Sequence, residues 1–288
     1  MKIEGARIAE YLQRLLRAEV SKRKKKKKPR LIVFLAAETD DQLSFVKIKS
    51  KIAHKIGVEF ELIKFKTAPS FQRFASLIKE KSIESNATGT IIQQPLPQEL
   101  STDSLYNYIP DVKEIEGVKT KSPFYSPIGL AVLTVIKFIF GKHRLVPDLF
   151  VNMDKDRAFF KKIFKNKRVV LVGRGVTGGR PIGKVLTEAK INYISLNSQT
   201  PNPESYYKNA DLIITAVGKK VIEPSMLKEG VILINVGLRK EHGRLKGDYE
   251  EAEVKNIASY YTPTPGGAGP IDVVYLYKNL IDSAKLQK

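Results

Sequence analysis

The chain contains no cysteine, which removes a disulfide framework, a cysteine-ligated zinc site and a thiol nucleophile. Histidine is almost as scarce. His54, His143 and His242 stand far apart, so no metal centre built on imidazole is expected. No run of eighteen apolar residues occurs, so no membrane-spanning helix is expected either. Met1 to Val20 carries charges every few positions and lacks the apolar stretch of an export signal, which points to a soluble, cytoplasmic protein. Acidic residues are under-represented: 30 Asp and Glu face 50 Lys and Arg, a net charge of +20. An excess of that size suggests an anionic partner.

Much of the excess sits in Lys22–Lys28, just before Pro29. Three readings of this run stand open: a solvated loop, contact with nucleic acid, or attraction of a substrate's acidic tail. The chain lacks the aromatic interleaving of RNA-binding sheets and the spacings of helix-turn-helix or zinc-finger modules. Nothing besides the charge run itself therefore speaks for nucleic acid.

What is present is 288 residues, 42% of them hydrophobic, enough for two domains with a core each. The apolar spacing predicts an amphipathic helix over 5–20, a buried strand at Leu31–Leu35, a helix over 41–56 stopped by Gly57, and a strand over 58–65. A helix over 71–81 and a strand over 89–93 follow, the latter ended by Pro95 and Pro97. Pro127 opens a strongly apolar helix to Phe140, and residues 141–166 read as charged and irregular with a short helix near 154–165. Strands are expected at 168–172, 191–196, 211–217 and 231–236, with a helix over 180–190 and another over the tail from 271. This alternation predicts two α/β domains with a cleft between them. The first is residues 1–120, completed by the C-terminal helix 271–288; the second is a Rossmann-type dinucleotide-binding domain over 121–270.

The most informative local string is Arg168-Val-Val-Leu-Val-Gly-Arg-Gly-Val-Thr-Gly-Gly179. A dinucleotide turn needs glycines because the backbone bends tightly and must approach a pyrophosphate, with free N–H groups of the next helix aimed at the phosphates. Gly173, Gly175, Gly178 and Gly179 fall between a strand and a helix, where such glycines act. The next strand ends in Asn197-Ser198-Gln199-Thr200, without the acid that usually holds an NAD ribose, and Arg174 adds a cation. Both features favour NADP, with NAD still open. Thr215-Ala216-Val217-Gly218 and Asn235-Val236-Gly237 are strand ends where ligands lie in such sheets. A lysine that exchanges protons near neutrality must be partly desolvated, and Lys49 lies within a helix, one turn beyond Phe45; by pattern alone it is one of 50 basic residues. Gln93 and Gln94 end a strand and offer amide hydrogen bonds.

Taken in order along the chain, several strings resemble the bifunctional methylenetetrahydrofolate dehydrogenase/methenyltetrahydrofolate cyclohydrolase family. They are Phe45-Val46-Lys47-Ile48-Lys49, Ile92-Gln93-Gln94-Pro95-Leu96-Pro97, Lys113-Glu114-Ile115-Glu116-Gly117, Tyr125-Ser126-Pro127-Ile128-Gly129, the turn Gly173 to Pro181, and Thr262-Pro263-Thr264-Pro265-Gly266-Gly267-Ala268-Gly269-Pro270. The resemblance implies oxidation of 5,10-methylenetetrahydrofolate with NADP⁺, followed by hydrolysis to 10-formyltetrahydrofolate. It implies that Lys49 is the acid/base of the hydrolytic step, tuned by Gln93, with Phe45 beside it. Glu116, Pro265, Gly266, Gly267 and Asp272 would bind the folate, including polyglutamylated forms. Gly173, Arg174, Gly175, Gly179, Ser198, Ala216, Val217, Gly218 and Gly237 would bind the cofactor, with Arg174 and Ser198 on its 2′-phosphate. The family is homodimeric, and it implies no membrane and no metal.

The chain departs from the family pattern at Phe45, where a tyrosine is usual, at Glu116 in place of aspartate, and at Asp272 in place of threonine. Residues 141–166 are longer than usual. These departures bear most on hydrolysis. They leave two alternatives: a dehydrogenase with weakened cyclohydrolase activity, and a basic nucleic-acid-associated protein on the same scaffold.

Overall fold

In a computed structural model, residues 1–23 and 27–287 are described; Lys24–Lys26, the middle of the basic run, lie outside them. The chain divides into two compact units, Met1–Leu12 with Ile128–Asp272, and Gln13–Pro127 with Val273–Lys288. Among the described residues no helix is long and apolar enough to cross a membrane.

The unit built on Gln13–Pro127 holds a three-stranded parallel sheet. Its strands are β1 (Arg30–Leu35), β2 (Glu59–Lys64) and β3 (Gly89–Ile92), in the order β2-β1-β3. Leu31–Leu35 is buried throughout, as a central parallel strand covered on both faces requires. Beside it run α2 (Asp40–Ile56) and α3 (Phe71–Ile83), while α1 (Gly5–Ser21) has its first residues in the other unit and the rest in this one. Helix α2 is fixed at both ends. The Thr39 hydroxyl accepts from the Gln42 N–H, Asp40 and Asp41 occupy the first turn, and Gly57 ends the helix at φ +85°. Short 3₁₀ turns at Gln98–Leu100, Asp103–Tyr108 and Asp111–Lys113 follow β3. Phe34 and Phe74 meet edge to face in the core.

The other unit carries α4 (Pro127–Phe140), α5 (Met153–Ile163), β4 (Val169–Val172), α6 (Gly179–Glu188), β5 (Ile194–Leu196), α7 (Glu204–Tyr207), β6 (Leu212–Thr215) and β7 (Ile232–Asn235). A charged hairpin of β8 (Arg239–Glu241) and β9 (Arg244–Lys246), α8 (Glu251–Val254) and β10 (Tyr260–Tyr261) complete it. The sheet is parallel, in the order β10-β7-β6-β4-β5. Counted within this unit, that is a doubly wound 2-1-3-4-5 sheet whose strand order reverses between β4 and β6. The final helix, α9 (Ala268–Leu286), begins three residues earlier than its apolar spacing suggests.

The N-terminal residues differ most from the sequence reading, which placed them with the first half. Lys2 pairs with Tyr261, the Ile3 N–H donates to the Tyr261 carbonyl at 2.8 Å, and the Lys2 ammonium meets Glu251 at 3.0 Å. Met1–Leu12 therefore belongs with the dinucleotide-type sheet, through a bridge too short to leave a pattern. Strand β5 is also shorter than the 191–196 expected: its pairing with β4 begins only at Ile194, opposite Val170, and Asn192 before it is exposed.

Candidate functional site

In the three-stranded unit the strand order reverses between β1 and β3, and their C-terminal ends are where ligands lie in open α/β sheets. Gln93 follows β3 directly and Lys49 rides on α2, the helix that follows β1. The two residues meet: the Lys49 Nζ donates to the Gln93 Oε1 at 2.6 Å. The Gln93 amide nitrogen donates to the Gln94 carbonyl at 2.7 Å, so the amide is turned with its oxygen toward the lysine. Gln93 is buried and Lys49 half-buried. The Tyr277 hydroxyl donates to the Lys49 carbonyl at 2.6 Å, which pins this turn of α2 to α9. Gln42, one helical face earlier, donates to the Pro95 carbonyl at 2.6 Å and ties α2 to the Gln-Pro segment. Phe45 stands four residues before Lys49, hence on the same side of the helix, and is 36% exposed.

Glu116 is half-buried near Tyr106, whose hydroxyl is pushed up first by burial and then by the Glu116 charge. The loop that carries Glu116 is organised by Glu114, which enters the sequence reading only as a member of a family string. Glu114 is fully buried, and its carboxylate accepts from the backbone N–H groups of Glu116 at 2.8 Å and Lys119 at 3.2 Å. Burial pushes the Glu114 carboxyl up despite these bonds. Asn279 from α9 donates to the Ile115 and Tyr125 carbonyls at 2.8 and 3.0 Å and holds the same loop from the other side.

In the five-stranded unit the glycine turn lies after β4, on one side of the strand-order reversal, and Ala216–Gly218 lies after β6, on the other. Gly173 has φ +105°, and a Cβ there would sit 2.4 Å from the Ala216 carbonyl oxygen. At Gly179, the first residue of α6, a Cβ would come within 2.0 Å of the Gly173 carbonyl oxygen. Gly175 is different, because nothing lies within 4 Å of an added Cβ. Helix α6 starts without a side-chain cap at Gly178. The turn is thus closed on the protein side and open on the other, with a bare helix N-terminus behind it, a shape that suits a pyrophosphate.

Arg174 extends over β5. Its Nε donates to the Ser195 hydroxyl at 3.1 Å and its Nη2 to the Ser195 carbonyl at 2.8 Å. Ser198, which the resemblance places with Arg174 on the cofactor's 2′-phosphate, stands exposed in a turn in which the Asn197 Oδ1 accepts from the Gln199 N–H and the Thr200 hydroxyl. Within the protein it is Ser195 that Arg174 contacts. Its signal, a hydroxyl two residues before the strand's polar end, is too common to stand out.

The N–H groups of Val217 and Gly218 are not open to a ligand. They donate to the two oxygens of Asp248, at 2.9 and 2.8 Å. Asp248 is fully buried, and burial pushes its carboxyl up. Gly237 must be glycine because a Cβ would meet the Asp248 oxygens at 2.2 and 2.3 Å. What Ala216, Val217, Gly218 and Gly237 leave for a ligand is close-packed backbone surface. The loop after β10 is gathered in the same way. The Ala6 N–H donates to the Gly266 carbonyl at 2.9 Å, and Gly266 has φ +101°. Gly267 is buried, Pro265 exposed and Asp272 half-buried within α9. A shallow groove of about 540 Å³, walled by Tyr249, Glu250, Thr264 and the β8–β9 hairpin, opens beside Pro265. Among the described residues no group of three or more acidic or histidine side chains is placed to hold a metal ion.

Comparison with known proteins extends over the whole chain. Residues 3–116 match the catalytic domain of the tetrahydrofolate dehydrogenase/cyclohydrolase family, and residues 159–288 match its NAD(P)-binding domain. A bifunctional protein FolD from Bacillus licheniformis is 31% identical over 98% of this chain and 96% of its own. The structure of the bifunctional FolD dehydrogenase/cyclohydrolase from Campylobacter jejuni superposes with a TM-score of 0.86 at 24% identity, covering 100% of this chain and 99% of its own. That of Trypanosoma brucei, complexed with NADP and an inhibitor, gives 0.83 at 23% identity, covering 99% and 97%.

Proposed function

Because the chain belongs to the tetrahydrofolate dehydrogenase/cyclohydrolase family, we propose that it oxidises 5,10-methylenetetrahydrofolate with NADP⁺ and then hydrolyses the 5,10-methenyl product to 10-formyltetrahydrofolate. The observation that carries this reading is the 2.6 Å contact of Lys49 with Gln93 at the ends of β1 and β3. Folate chemistry falls to the unit of the three-stranded sheet with the returning C-terminal helix, and dinucleotide binding to the unit of the five-stranded sheet.

Gly173, Gly175 and Gly179 would cradle the pyrophosphate, a role that the open side of Gly175 and the uncapped start of α6 support. When bound there, NADP⁺ supplies the hydride acceptor. Arg174, held against β5 by Ser195, would meet the 2′-phosphate with Ser198 beside it. The polar end Asn197–Thr200 brings no carboxylate to repel that phosphate. In the hydrolytic step water adds to the methenyl carbon and gives up both its protons as it becomes the formyl oxygen; one is released to solvent, and the ring nitrogen that leaves this carbon takes up the other. Lys49 holds and passes that proton, and the Gln93 carbonyl keeps its amine on the reacting side. Phe45 offers a ring face without a hydroxyl. Glu116 pairs with the pterin's amino and ring N–H groups. Pro265, Gly266, Gly267 and Asp272 line the folate. The same family reading makes the chain a cytoplasmic homodimer.

A second reading rests on Phe45, which lacks the hydroxyl usual in the hydrolytic site: a dehydrogenase with weakened cyclohydrolase activity. One assay separates the two. Methenyl absorbance is followed after mixing the protein with methylenetetrahydrofolate and either NADP⁺ or NAD⁺. The bifunctional reading expects a rise followed by decay, faster with NADP⁺. A rise without enzyme-dependent decay supports the second reading, and no rise with either cofactor overturns both.

A further inference from the structure

We propose that Asn235 and Asp248 form a positioning pair, which sets the dinucleotide strand end at 216–218 and the proline–glycine loop at 264–267 in one geometry. This rests on the activity proposed above and adds to it two buried residues.

Asn235, the last residue of β7, is buried and uses all four of its amide hydrogen-bonding positions. Its Oδ1 accepts from the Thr215 hydroxyl at 3.0 Å and from the Asp248 N–H at 2.9 Å. Its Nδ2 donates to the Gly237 carbonyl at 2.8 Å and to the Thr264 hydroxyl at 2.7 Å. Asp248 carries the network on, its two oxygens taking the N–H groups of Val217 and Gly218. Consecutive N–H groups at a strand end form a concavity that binds anions. Here the protein's own carboxylate fills it, and the turn at Gly218, φ +83°, is locked. The packing leaves no slack. A Cβ at Gly247 would lie 2.6 Å from the Asn235 Nδ2 and 2.7 Å from the Thr264 hydroxyl. The Thr264 N–H is itself held by Glu251 at 3.0 Å.

The end of β6, the end of β7 and the start of the 264–267 loop thus share one buried, fully satisfied node. Hydride transfer depends on two rings held within a few tenths of an ångström, and misplacement by about 1 Å costs roughly 10²-fold in rate. A node that ties a cofactor-side loop to a folate-side loop is placed to set that distance.

The test uses the full-length chain, with NADP⁺ binding measured by fluorescence and methylenetetrahydrofolate turnover by absorbance. Asp248→Asn keeps the shape but turns an amide NH₂ toward one of the two backbone N–H groups. It is expected to weaken NADP⁺ binding by at least about tenfold and lower dehydrogenase kcat by a similar factor, with a cooperative melt retained. Thr264→Val cuts only the outer tie. It is expected to raise the methylenetetrahydrofolate KM by about fivefold or more with NADP⁺ Kd within about twofold of the parent, and Thr264→Ser restores the KM. A purely structural role would instead lower the melting temperature of both variants and leave Kd and KM, per folded molecule, at parental values. That outcome overturns the proposal. Should Asp248→Asn fail to fold, an unchanged KM in Thr264→Val overturns it alone. A parent without turnover counts against the proposed activity, while the NADP⁺ Kd of parent and Asp248→Asn still decides the cofactor arm.

Discussion

Gly175 and Gly179 lie in one turn and differ in what an added side chain would meet. At Gly179 a methyl group would overlap the Gly173 carbonyl. At Gly175 the space beyond is empty, so a side chain there would meet only what the turn receives. Gly179→Ala is therefore expected to lose about 1–3 kcal/mol of stability in chemical denaturation, because backbone must move. Gly175→Ala should leave stability unchanged or raise it by up to about 1 kcal/mol, through the stiffer unfolded chain. It should still raise the NADP⁺ KM by about tenfold or more. Unaltered cofactor kinetics in Gly175→Ala would mean that the pyrophosphate lies elsewhere. The sequence made these glycines legible because their spacing between strand and helix is itself a signal. It could not make Lys49 legible by pattern, as one lysine in a lysine-rich chain, and only the resemblance of its neighbours singled it out. Asp248 was invisible, and Glu114 stood out only as a member of a family string, for a further reason. A side chain that binds backbone N–H groups is defined by burial, and burial of an acidic residue has no periodicity.

Elements with a strong period or a defined cap were readable. Helix α2 runs from the Thr39 cap to Gly57, and β1 is the apolar run itself. The β8–β9 hairpin was not readable, because Arg239–Lys246 is charged on both faces and offers no alternation. The segment 141–166 was seen as charged with a short helix, but its anchor was not. The one charged residue of helix α4 is Lys137, which is 8% exposed and donates to both oxygens of Asp156 on α5 at 2.8 Å. Asp156 also accepts from the Asn152 N–H at 2.8 Å, and Lys137 reaches Asp148 at 3.0 Å. Desolvating two charges offsets much of their attraction, so the pair adds little net stability, yet removing one partner strands the other. Lys137→Met should cost about 3–5 kcal/mol in urea unfolding, while Lys137→Met with Asp156→Leu costs markedly less. Equal losses in the two variants would show that the pair does not behave as a buried unit.

At the scale of the whole molecule, each unit spends one buried carboxylate on a loop beside its candidate site, Glu114 in one and Asp248 in the other. Both carboxyls are raised by burial, and the sign of the consequence follows from linkage. As pH climbs past 4.5, the ordinary glutamate value, the unfolded chain ionises Glu114 while the folded chain still holds the proton. The parent's stability therefore falls relative to a Glu114→Gln variant until pH passes the folded value, by about 1.4 kcal/mol for each unit between the two. A constant offset, from the amide's poorer fit to the N–H groups of Glu116 and Lys119, is superimposed at every pH. Denaturant unfolding of both proteins from pH 4 to 8 measures the difference, and a flat difference would contradict the burial argument. The two-sheet plan was readable from alternating strands and helices, whereas the transfer of Met1–Leu12 to the other unit rests on pairing that a few residues cannot encode visibly. The proposed hydrolysis depends on the amine of Lys49, held at 2.6 Å from Gln93. It is tested most directly by adding 5,10-methenyltetrahydrofolate at neutral pH without cofactor and following its decay with the parent and with Lys49→Met. The parent should hasten decay over buffer, and Lys49→Met should lose about 10²-fold or more of that acceleration with NADP⁺ binding intact. Equal decay rates in parent and variant would contradict it.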